Sequence, residues 1–312
     1  MLDFSNSKIL IVGDVMLDKY YFGKVDRISP EAPVPIVNIQ KEESRLGGAS
    51  NVANNIVSLG GHSLLCGVIG HDLFGKEIER ISRHKNIDTF LLKTSSPTIT
   101  KARIIGGKQQ IVRVDYEDKS ELNADNKKLF RDTISRILPE YDILVISDYG
   151  KGLISEDLCR YLIKLAHKYD KKVIIDPKGK NWEKYSGADI VTPNVKELSD
   201  IVGYTVPNTD RAIEKAAREA ITNNHLTALL VTPSDKGMSL IGPIPPIHIP
   251  THSEEVFDVS GAGDTVVATL GLCLAAGFEI SEAMRTANIA AGIVVKKIGT
   301  ATLTIEELVQ QK

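Results

Sequence analysis

Short apolar runs that alternate with helical patterns constrain the fold of this chain more than any other feature of its sequence. Segments 155–170 and 209–224 carry apolar residues at the spacing of amphipathic helices. Five apolar runs outside them each fit a strand that is buried on both faces: KILIVGD (8–14), DILVISD (142–148), KVIIDPK (172–178), DIVTPN (189–194) and ALLVTPSDKG (228–237). Strands that alternate with helices predict βαβ units and a mostly parallel sheet, which is an α/β fold. Residues 1–312 contain no repeat and no low-complexity linker, so we expect a single domain.

All five runs end in polar or turn residues. The ends are Gly13-Asp14, Ser147-Asp148, Asp176-Pro177-Lys178, Thr192-Pro193-Asn194 and Thr232. In open parallel sheets, ligands bind outside the carboxyl ends of the strands. One polar strand end is uninformative because loops are polar anyway, but five together favour a ligand site at this edge of the sheet.

Two segments, about 15–45 and 98–116, break the alternation. The first contains three prolines within SPEAPVP, and the second, TITKARIIGGKQQIVRVDY, alternates in a β-like manner around a Gly-Gly turn. Proline belongs at the edges of sheets rather than in their central strands. We therefore predict that the two segments form a small antiparallel sheet that projects from the main domain.

The composition excludes several classes of protein. With 42% hydrophobic and 25% charged residues the chain resembles an ordinary globular protein, and its net charge of -2 argues against a nucleic-acid binder. No apolar stretch approaches the ~20 residues that a membrane span needs, and the N-terminus lacks the pattern of a secretory signal. Three isolated cysteines favour buried thiols in a reducing compartment over disulfides or a metal site. We expect a cytoplasmic protein that binds neither nucleic acid nor membranes.

The stretch DVSGAGDTV (258–266) is the strongest candidate for chemistry. Gly261, Ala262 and Gly263 lead into an apolar helix, so free backbone N–H groups and the helix dipole favour an anion there. Asp264 could simply cap the helix, since Asp is favoured in the first turn. A cap does not need two glycines within three residues, whereas close approach of a phosphate does. We therefore interpret Asp264 as a carboxylate that accepts a proton from a substrate hydroxyl.

Two further motifs are weaker by themselves. In RLGGASNVANNIVSLGG (45–61), Gly47 and Gly48 precede a helix that carries Asn51, which suits a polyol but also an ordinary glycine turn. In DIVTPNVKELSDIVG (189–203), Asn194 and Glu197 have the spacing of a capping box. The same pair could instead hold a hydrated Mg²⁺ beside phosphates. Both interpretations stay open at this point.

The last two motifs lie in the C-terminal third. TPSDKG (232–237) ends a strand with turn residues, which could equally be a plain hairpin. NIAAGIVVKKIGTATLT (288–304) combines small helical residues with a Gly-Thr loop. Helix packing alone would explain the alanines, although a flat purine ring would also fit against them.

These motifs, in this order, resemble the ribokinase-like (PfkB) family of carbohydrate kinases. The resemblance covers essentially the whole chain and rests on GD after the first strand, LGGASNVA, TPNVKE, and DVSGAGDT before an apolar helix. It implies a ribokinase-like three-layer α/β/α fold with a mostly parallel central sheet and a small β lid. It also implies an enzyme that transfers a phosphoryl group from ATP to a sugar hydroxyl with the help of Mg²⁺.

The resemblance assigns the catalytic role of general base to Asp264. The backbone N–H groups from Gly261 to Gly263 form the anion hole for the phosphoryl group, and Ala262 belongs to it. Sugar-binding positions fall on Asp14, Asp18, Gly47, Gly48 and Asn51.

The resemblance also assigns the nucleotide side. Asn194 and Glu197 match positions associated with the phosphates and with Mg²⁺, which they would hold through water. A monovalent-cation site is implied near Asp258 and the 293–302 loop. Further nucleotide contacts are expected at Thr232, Asp235, Gly237, Asn288 and Gly292.

Within this family, three stretches of the chain are similar to the heptose-7-phosphate kinases. They are GDVMLDKYYFGKVDRISPEAPVPIV, TKARIIGGKQQIVRVDYE and SDYGKGLIS. This similarity implies phosphorylation of D-glycero-β-D-manno-heptose 7-phosphate at O1 to the 1,7-bisphosphate, a step towards the ADP-heptose precursor of lipopolysaccharide. The substrate's own phosphate requires cations, and Arg103 is the first candidate because Arg binds phosphate in a bidentate manner. The basic candidates are Lys101, Arg103, Arg113, Lys151 and Lys178. Some of them could equally be ordinary solvated side chains.

The sequence leaves other functions open and indicates that the chain has a partner. Another sugar or sugar-phosphate kinase of the family is the nearest alternative, followed by a non-catalytic sugar or nucleotide sensor, which would not need Asp264. No GxGxxG follows the first strand, so a nicotinamide oxidoreductase is disfavoured. None of the seven histidines stands in an HxGH pattern, so we expect any nucleotidyl-transfer step elsewhere. We expect Tyr20, Tyr21 and Phe22 to be exposed apolar residues, and they predict that the lid pairs with a second chain in a homodimer.

Overall fold

The computed structural model describes residues 2–232, 236–251 and 256–311, and it confirms the alternation of strands and helices. The helices are α1 (Ala49–Ser58), α2 (Leu73–His84), α3 (Ala124–Ile137), α4 (Glu156–Lys168), α5 (Val195–Val202), α6 (Asp210–Asn224), α7 (Ala262–Ala275), α8 (Ile280–Val294) and α9 (Ile305–Gln311). The strands are β1 (Lys8–Gly13), β2 (Val15–Ile28), β3 (Pro35–Gly48), β4 (His62–Gly70), β5 (Asp88–Thr94), β6 (Thr100–Gly106), β7 (Gln109–Tyr116), β8 (Ile143–Ser147), β9 (Lys172–Asp176), β10 (Ile190–Val191), β11 (Leu229–Val231), β12 (Met238–Ile241) and β13 (Ile247–Ile249).

The large sheet has the strand order β13-β12-β11-β10-β9-β8-β1-β4-β5 among the described residues. The strands from β11 across β1 to β5 pair in parallel, whereas β12 and β13 are antiparallel at one edge. Parallel strands need crossover helices, and the predicted helices 155–170 and 209–224 are two of them, as α4 and α6. The mostly parallel sheet of the prediction is confirmed.

Helices cover both faces of this sheet, and the side chains of β1 show why. Ile9 and Ile11 point into one core, which they share with α1, α7 and α8, while Leu10 and Val12 point into the other, which they share with α3, α4 and α6. Because successive strand residues face opposite sides, a strand between two helical layers must be apolar at every position. The fold is therefore the three-layer α/β/α arrangement that the resemblance implies.

A second, four-stranded sheet has the order β3-β2-β6-β7 and is built from the two segments that break the alternation. We expected this sheet to be antiparallel. It is not purely so, because β2 and β6 pair in parallel. Each of them is the first strand of a hairpin, β2–β3 or β6–β7, and each leaves the large sheet from the carboxyl end of a parallel strand. The two hairpins therefore start in the same direction and meet side by side. We call this four-stranded unit the small sheet.

One side chain of the small sheet, that of Tyr20, is less exposed than we expected. Tyr20 is buried, with the guanidinium groups of Arg45 and Arg103 each about 5 Å from its ring centroid. Tyr21 and Phe22 are half-buried. Tyr20 therefore belongs to the interior of the molecule and was wrongly predicted to be exposed.

The sequence also led to expectations about the cysteines and about membrane-spanning helices. Cys66, Cys159 and Cys273 are buried, as predicted. Within the described parts of the chain, none of the helices has the length and apolar character to cross a bilayer.

Candidate active site

The first turn of α7 lies at the carboxyl edge of the large sheet and is shaped by its glycines. Gly261 precedes the helix with φ of 81°, a left-handed conformation that glycine adopts without strain. A Cβ at this position would lie only 2.8 Å from Nδ2 of Asn51, so space also demands glycine. No side chain caps α7, which leaves N–H groups of its first turn for a ligand. The N–H of Ala262 already donates to the carbonyl of Val259 at 3.2 Å, so the free donors belong to its neighbours.

Asp264 is 2% exposed and has a defined orientation. Its Oδ2 accepts a hydrogen bond from Nδ2 of Asn51 at 2.7 Å, and its Oδ1 accepts one from the hydroxyl of Tyr149 at 2.8 Å. Asn51 comes from α1 and Tyr149 from the segment after β8, so three separate elements meet at this carboxylate. The remaining lone pairs of the carboxylate are free to accept a proton from a ligand hydroxyl.

The environment of Asp264 adjusts its basicity. Burial raises the pKa of Asp264 to about 6, although the hydrogen bonds from Asn51 and Tyr149 lower it and the charge of Asp18 raises it further. A general base works best when its pKa lies near the operating pH, because it is then both ionised and basic. A pKa of about 6 therefore suits Asp264 for the role of a general base.

The predicted sugar-binding residues lie on the small-sheet side of Asp264. Asp18 on β2 is buried, and its Oδ1 accepts a hydrogen bond from the guanidinium of Arg103 at 2.6 Å. A Cβ on Gly47 would overlap the other oxygen of Asp18, so the backbone can pass here only as glycine. Gly48 follows it as the residue before α1, the helix that carries Asn51.

Asp14 binds the backbone of the segment that follows β8. Its Oδ2 accepts the backbone N–H groups of Tyr149 at 2.8 Å and Lys151 at 3.1 Å. Burial raises the pKa of Asp14 to about 6, and the charge of Asp148 adds to this, while the N–H donors oppose it. Asp14 therefore fixes the segment that presents the Tyr149 hydroxyl to the candidate base.

Four predicted cations gather on one side of the site. Burial lowers the pKa of Lys101, and the nearby charges of Lys151, Arg103 and Arg113 lower it further, while Asp18 opposes them. Lys151 is paired with Glu117, and the half-exposed guanidinium of Arg113 binds Asp115 at 2.8 Å. The ammonium of Lys101 lies 5.5 Å from the centre of the Tyr149 ring, and its charge lowers the pKa of Asp264. Grouped cations of this kind can attract an anionic ligand.

The Asn194–Glu197 pair forms the capping box that its spacing predicts. Oδ1 of Asn194 accepts the N–H of Glu197 at 2.8 Å, and Oε2 of Glu197 accepts the N–H of Asn194 at 3.1 Å. Oε1 of Glu197 binds the ammonium of Lys178 at 2.8 Å. The sequence groups Lys178 with the sugar contacts, whereas the structure brings it to the nucleotide-side pair.

A half-buried residue, Asp176, places its carboxyl group between the two sides. Burial raises the pKa of Asp176, at the end of β9, well above its ordinary value, and the charges of Asp264 and Glu197 add to the effect. Among the described residues no group of three or more His, Cys, Asp or Glu side chains could hold a metal ion directly. These carboxylates instead fit a hydrated cation that reaches them through water and relieves their mutual repulsion.

Most of the predicted nucleotide residues line one pocket of about 490 Å³ beside the first turn of α7, but Glu197 is not among its lining residues. Apolar side chains such as Met238 and Val266 lie in its wall, which suits the face of an aromatic ring. The amide of Asn288 donates to the carbonyl of Pro250 at 2.7 Å. Asp235 lies outside the described residues. The pocket brings together Asn194, Thr232, Gly237, Ala262, Gly263, Asn288 and Gly292.

A second pocket, of about 590 Å³, lies at the carboxyl ends of β1, β4 and β5. Asp14 and Lys151 form part of its wall, together with residues 93–97 and 120–123. Of the predicted sugar-binding residues, Asp14 and Lys151 are the ones that border this space.

Tyr149 is the site residue that the sequence did not reveal. It follows β8 in the motif SDYGKG, so its place after a strand end was a signal, but a tyrosine in a turn has many ordinary explanations. Burial raises the pKa of Tyr149 well above its ordinary value, as does the negative charge of Asp264. Tyr149 therefore stays protonated and remains a hydrogen-bond donor to the candidate base.

We predict that Tyr149→Phe shifts the acidic limb of the rate profile to higher pH. Asp264 must be ionised to accept a proton, so kcat/KM of the native enzyme falls as the pH drops below about 6. The Tyr149 hydroxyl lowers this pKa, and its loss therefore raises it. The measurement is kcat/KM from about pH 5 to about pH 9.

The matched control is Tyr204→Phe, which removes an exposed hydroxyl that donates to Glu219 at 3.0 Å. This variant should keep the native profile. A Tyr149→Phe profile that does not move, or that moves to lower pH, would contradict the role of the hydroxyl.

Known proteins match this chain in sequence over most of its length. A family model described as pfkB family carbohydrate kinase matches residues 6–307. The bifunctional protein HldE of Haemophilus influenzae (strain PittEE) is 46% identical over 308 residues, which cover 98% of this chain and 63% of the relative. The bifunctional protein HldE of a Nitratiruptor species is 43% identical over 301 residues, which cover 96% of this chain and 64% of the relative. The chain therefore spans less than two thirds of the length of these curated relatives.

Solved structures share the fold. The crystal structure of phosphofructokinase-2 from Escherichia coli in complex with potassium superposes with a TM-score of 0.79 at 20% identity and covers 97% of both chains. The structure of Arabidopsis thaliana ribokinase complexed with ribose and ATP gives a TM-score of 0.75 at 19% identity and covers 98% of both chains. The family match over residues 6–307, the shared fold and the curated relatives together establish that this chain belongs to the pfkB family of carbohydrate kinases and is a sugar kinase.

Proposed function

We propose that this kinase uses ATP to phosphorylate D-glycero-β-D-manno-heptose 7-phosphate at O1, giving the 1,7-bisphosphate on the route to ADP-heptose. The observation that carries the proposal is the cation cluster around Lys101, whose ammonium lies 5.5 Å from the Tyr149 ring and whose pKa is lowered by the charges of Lys151, Arg103 and Arg113. A neutral sugar needs no such cluster, whereas a sugar that already carries a phosphate does. The similarity of residues 13–37 and 100–117 to heptose-7-phosphate kinases supports this choice of sugar.

The reaction follows from the positions of the side chains. Asp264 takes the proton of the anomeric hydroxyl, whose oxygen forms a bond to the γ-phosphorus as the bond between that phosphorus and the β–γ bridging oxygen breaks. ADP leaves with the electron pair of the broken bond. The N–H groups in the first turn of α7 stabilise the charge on the transferring group, because they are already oriented towards it.

The sugar is positioned by groups that flank Asp264. Asn51 holds one oxygen of the base and the Tyr149 hydroxyl the other, so the carboxylate cannot rotate away from the acceptor. Arg103, itself oriented by Asp18, and Lys101 bind the anionic end of the substrate. Fixed groups of this kind convert binding into near-attack geometry, which is a large part of what a phosphoryl-transfer enzyme contributes.

ATP binds in the pocket of about 490 Å³ beside α7, with its base against the apolar wall. Asn194 and Glu197 would hold Mg²⁺ through water beside the phosphates, where the ion, when bound, supplies neutralisation of the β- and γ-phosphate charge. Glu197 keeps lone pairs for such waters, although Asn194 and Lys178 already donate to it.

The chain forms one kinase domain in which the small sheet is the lid of the sugar site. The small sheet carries Asp18, Lys101 and Arg103 from its own strands, so its movement would open and close the sugar side. We expect two chains to pair through this sheet, since its exposed apolar side chains need a partner. These side chains are Val25, Ile28, Val34, Ile39, Ile111, Val112 and Val114.

Light scattering coupled to gel filtration checks the pairing. The expected mass is twice the 34.1 kDa of one chain. Val112→Asp, which places a charge on the exposed apolar surface, should shift the protein towards the monomer, while Val309→Asp on α9 should not. A native protein that runs as a monomer would contradict the pairing.

The substrate is tested by comparing acceptors. Rates of ADP formation and shifts in melting temperature are measured with heptose 7-phosphate, ribose, fructose and fructose 6-phosphate, each with ATP and Mg²⁺. We expect heptose 7-phosphate to give the highest kcat/KM and the largest shift. Robust turnover of another sugar without turnover of the heptose phosphate would show that a different substrate is the right one.

A further inference from the structure

A buried ion pair lies behind the segment that presents Tyr149 to the candidate base. Asp148 directly follows β8 and is 2% exposed. Its Oδ2 accepts a hydrogen bond from the ammonium of Lys184 and another from the hydroxyl of Tyr185, the latter at 2.7 Å. A carboxylate away from water is costly unless it is paired and hydrogen-bonded, so Asp148 depends on these donors.

Lys184 and Tyr185 come from outside the candidate site. They belong to the 3₁₀ turn Glu183–Tyr185, between β9 and β10, and neither is among the lining residues of the two pockets described above. Tyr185 is fully buried, and the side chain of Lys184 is 13% exposed. An ammonium that is so little exposed needs its carboxylate partner as much as the carboxylate needs it. The pair therefore has a fixed geometry, unlike an ion pair in solvent.

Asp148 transmits this geometry to the segment that follows it. Its Oδ1 accepts the backbone N–H of Gly150 at 2.7 Å. The N–H groups on either side of Gly150, those of Tyr149 and Lys151, donate to Asp14 at 2.8 Å and 3.1 Å. Three successive N–H groups thus bind two buried carboxylates, and together they determine where the side chain of Tyr149 leaves the backbone.

The hydroxyl of Tyr149 is the last member of this series of contacts. It donates to Oδ1 of Asp264 at 2.8 Å. Hydrogen bonds weaken steeply when their geometry is distorted, so a shift of the backbone at 149–151 changes this one. A buried ion pair can be a purely structural feature. This one is connected to the candidate base through Asp148, three N–H groups and one hydroxyl, which indicates a role in the reaction.

We propose that Lys184 and Tyr185 are positioning residues for phosphoryl transfer, which act through Asp148 to hold the Tyr149 hydroxyl against Asp264. Both act at a distance from the reacting atoms, through the backbone of residues 148–151. The proposal rests on the proposed role of Asp264 as the base and on no particular sugar.

Lys184→Met removes the charge and keeps most of the side chain's length. With Asp148 poorly held, the hydrogen bond from Tyr149 to Asp264 weakens. That hydrogen bond lowers the pKa of Asp264, so the acidic limb of kcat/KM should move to higher pH. A hydrogen bond to a charged group contributes about tenfold to an equilibrium, so we expect a shift of up to about one pH unit. The measurement is kcat/KM from about pH 5 to about pH 9.

Loss of the Lys184 charge also acts directly on other titratable groups, so the single variant is not decisive. The pKa of Asp14 is about 6 as well, and the charge of Asp148 raises it. The titratable groups that face Asp264 are Asp18 on β2, Lys101 on β6, Asp176 on β9 and Tyr149 after β8.

A double-variant cycle separates the two routes. If Lys184 acts through the Tyr149 hydroxyl, Lys184→Met combined with Tyr149→Phe should have the same acidic limb as Tyr149→Phe alone, because the hydroxyl is already absent. A shift that Lys184→Met adds in full to that of Tyr149→Phe would overturn the proposal, since the lysine would then act by charge or by general loss of structure. A Lys184→Met limb identical to the native one would also overturn it.

Two further variants grade the effect. Lys184→Arg keeps the charge and should keep the native acidic limb. Tyr185→Phe removes a smaller, uncharged donor to Asp148 and should move the limb in the same direction as Lys184→Met, by less. If Lys184→Met does not fold, Tyr185→Phe takes its place in the cycle, and an unmoved limb in that variant contradicts the proposal.

Matched controls exist on two helices. Lys127→Met removes an ammonium of α3 that pairs with Glu121. Tyr161→Phe removes a hydroxyl of α4 that donates to the carbonyl of Arg131 at 3.4 Å. Both controls should keep the native acidic limb, since neither side chain contacts Asp148.

Hydrogen exchange in the peptide that contains residues 148–151 tests the proposal without turnover. We expect faster exchange there in Lys184→Met and Tyr185→Phe, and native exchange in both controls. Native exchange in Lys184→Met would overturn the proposal. Faster exchange together with a Tyr149→Phe limb that does not move would instead refute the role of Asp264 and leave the positioning of the segment supported.

Discussion

Asp264→Asn should bind ATP and the sugar phosphate almost as the native enzyme does and turn them over about 10²–10⁴-fold more slowly. The amide has nearly the same shape as the carboxylate, so the hydrogen bond from Tyr149 to the side-chain oxygen can persist. It cannot accept the proton of the sugar hydroxyl, which must then leave unaided. The measurements are kcat from ADP formation and affinities from calorimetry.

Calorimetry also separates chemistry from folding in this variant. Native-like affinities for both ligands together with a large loss of kcat identify Asp264 as the base, because a damaged fold would weaken binding as well. The matched control is Asp200→Asn, which makes the same chemical change at an exposed residue of α5 and should keep the native kcat. Asp264→Asn with native kcat would refute the assignment.

Gly261→Ala is expected to lower kcat about 10²–10³-fold, the typical effect of losing an anion-hole donor. The new Cβ would lie 2.8 Å from Nδ2 of Asn51, which itself donates to Asp264. Either Asn51 or the first turn of α7 must therefore move. Both the base and the N–H groups depend on that contact, so the substitution disturbs the two halves of the reaction at once.

Gly277→Ala provides the control on the same helix. Gly277 follows the other end of α7 with the same φ of 81°, but a Cβ there would meet nothing within 4 Å. Both alanines introduce the same backbone strain, roughly 1–2 kcal/mol of stability. We expect Gly277→Ala to have a lower melting temperature than the native protein and to keep the native kcat. Equal loss of kcat in both variants would mean that strain, and not the anion hole, explains the effect.

The sequence allowed the framework of the fold to be predicted because the signals for it are local. A strand between two helical layers must be apolar throughout, and the runs ending at Asp14, Asp148 and Asp176 show this directly. The parallel pairing of β2 with β6 was missed because it depends on how two distant hairpins leave the large sheet. Strands β10 and β11 are also shorter than the apolar runs around them.

The candidate site was predictable where one motif carries its own geometry. Gly261 to Asp264 lie in one turn, and Asn194 and Glu197 satisfy each other across one turn, so spacing alone was sufficient. Tyr149 lies 115 positions from Asp264, and Lys184 lies 36 positions from Asp148. No local pattern encodes such contacts, since they arise only when the sheet and its helices have packed.

Identification of the product by ³¹P NMR shows whether Asp264 directs the γ-phosphate of ATP to the anomeric hydroxyl of a heptose phosphate. The enzyme is incubated with ATP, Mg²⁺ and D-glycero-β-D-manno-heptose 7-phosphate. We expect a new phosphate resonance coupled to the anomeric proton, with the original 7-phosphate retained, and we expect this resonance to grow about 10²–10⁴-fold more slowly with Asp264→Asn. A phosphate on any other carbon, or ADP formed without a sugar bisphosphate, would contradict it.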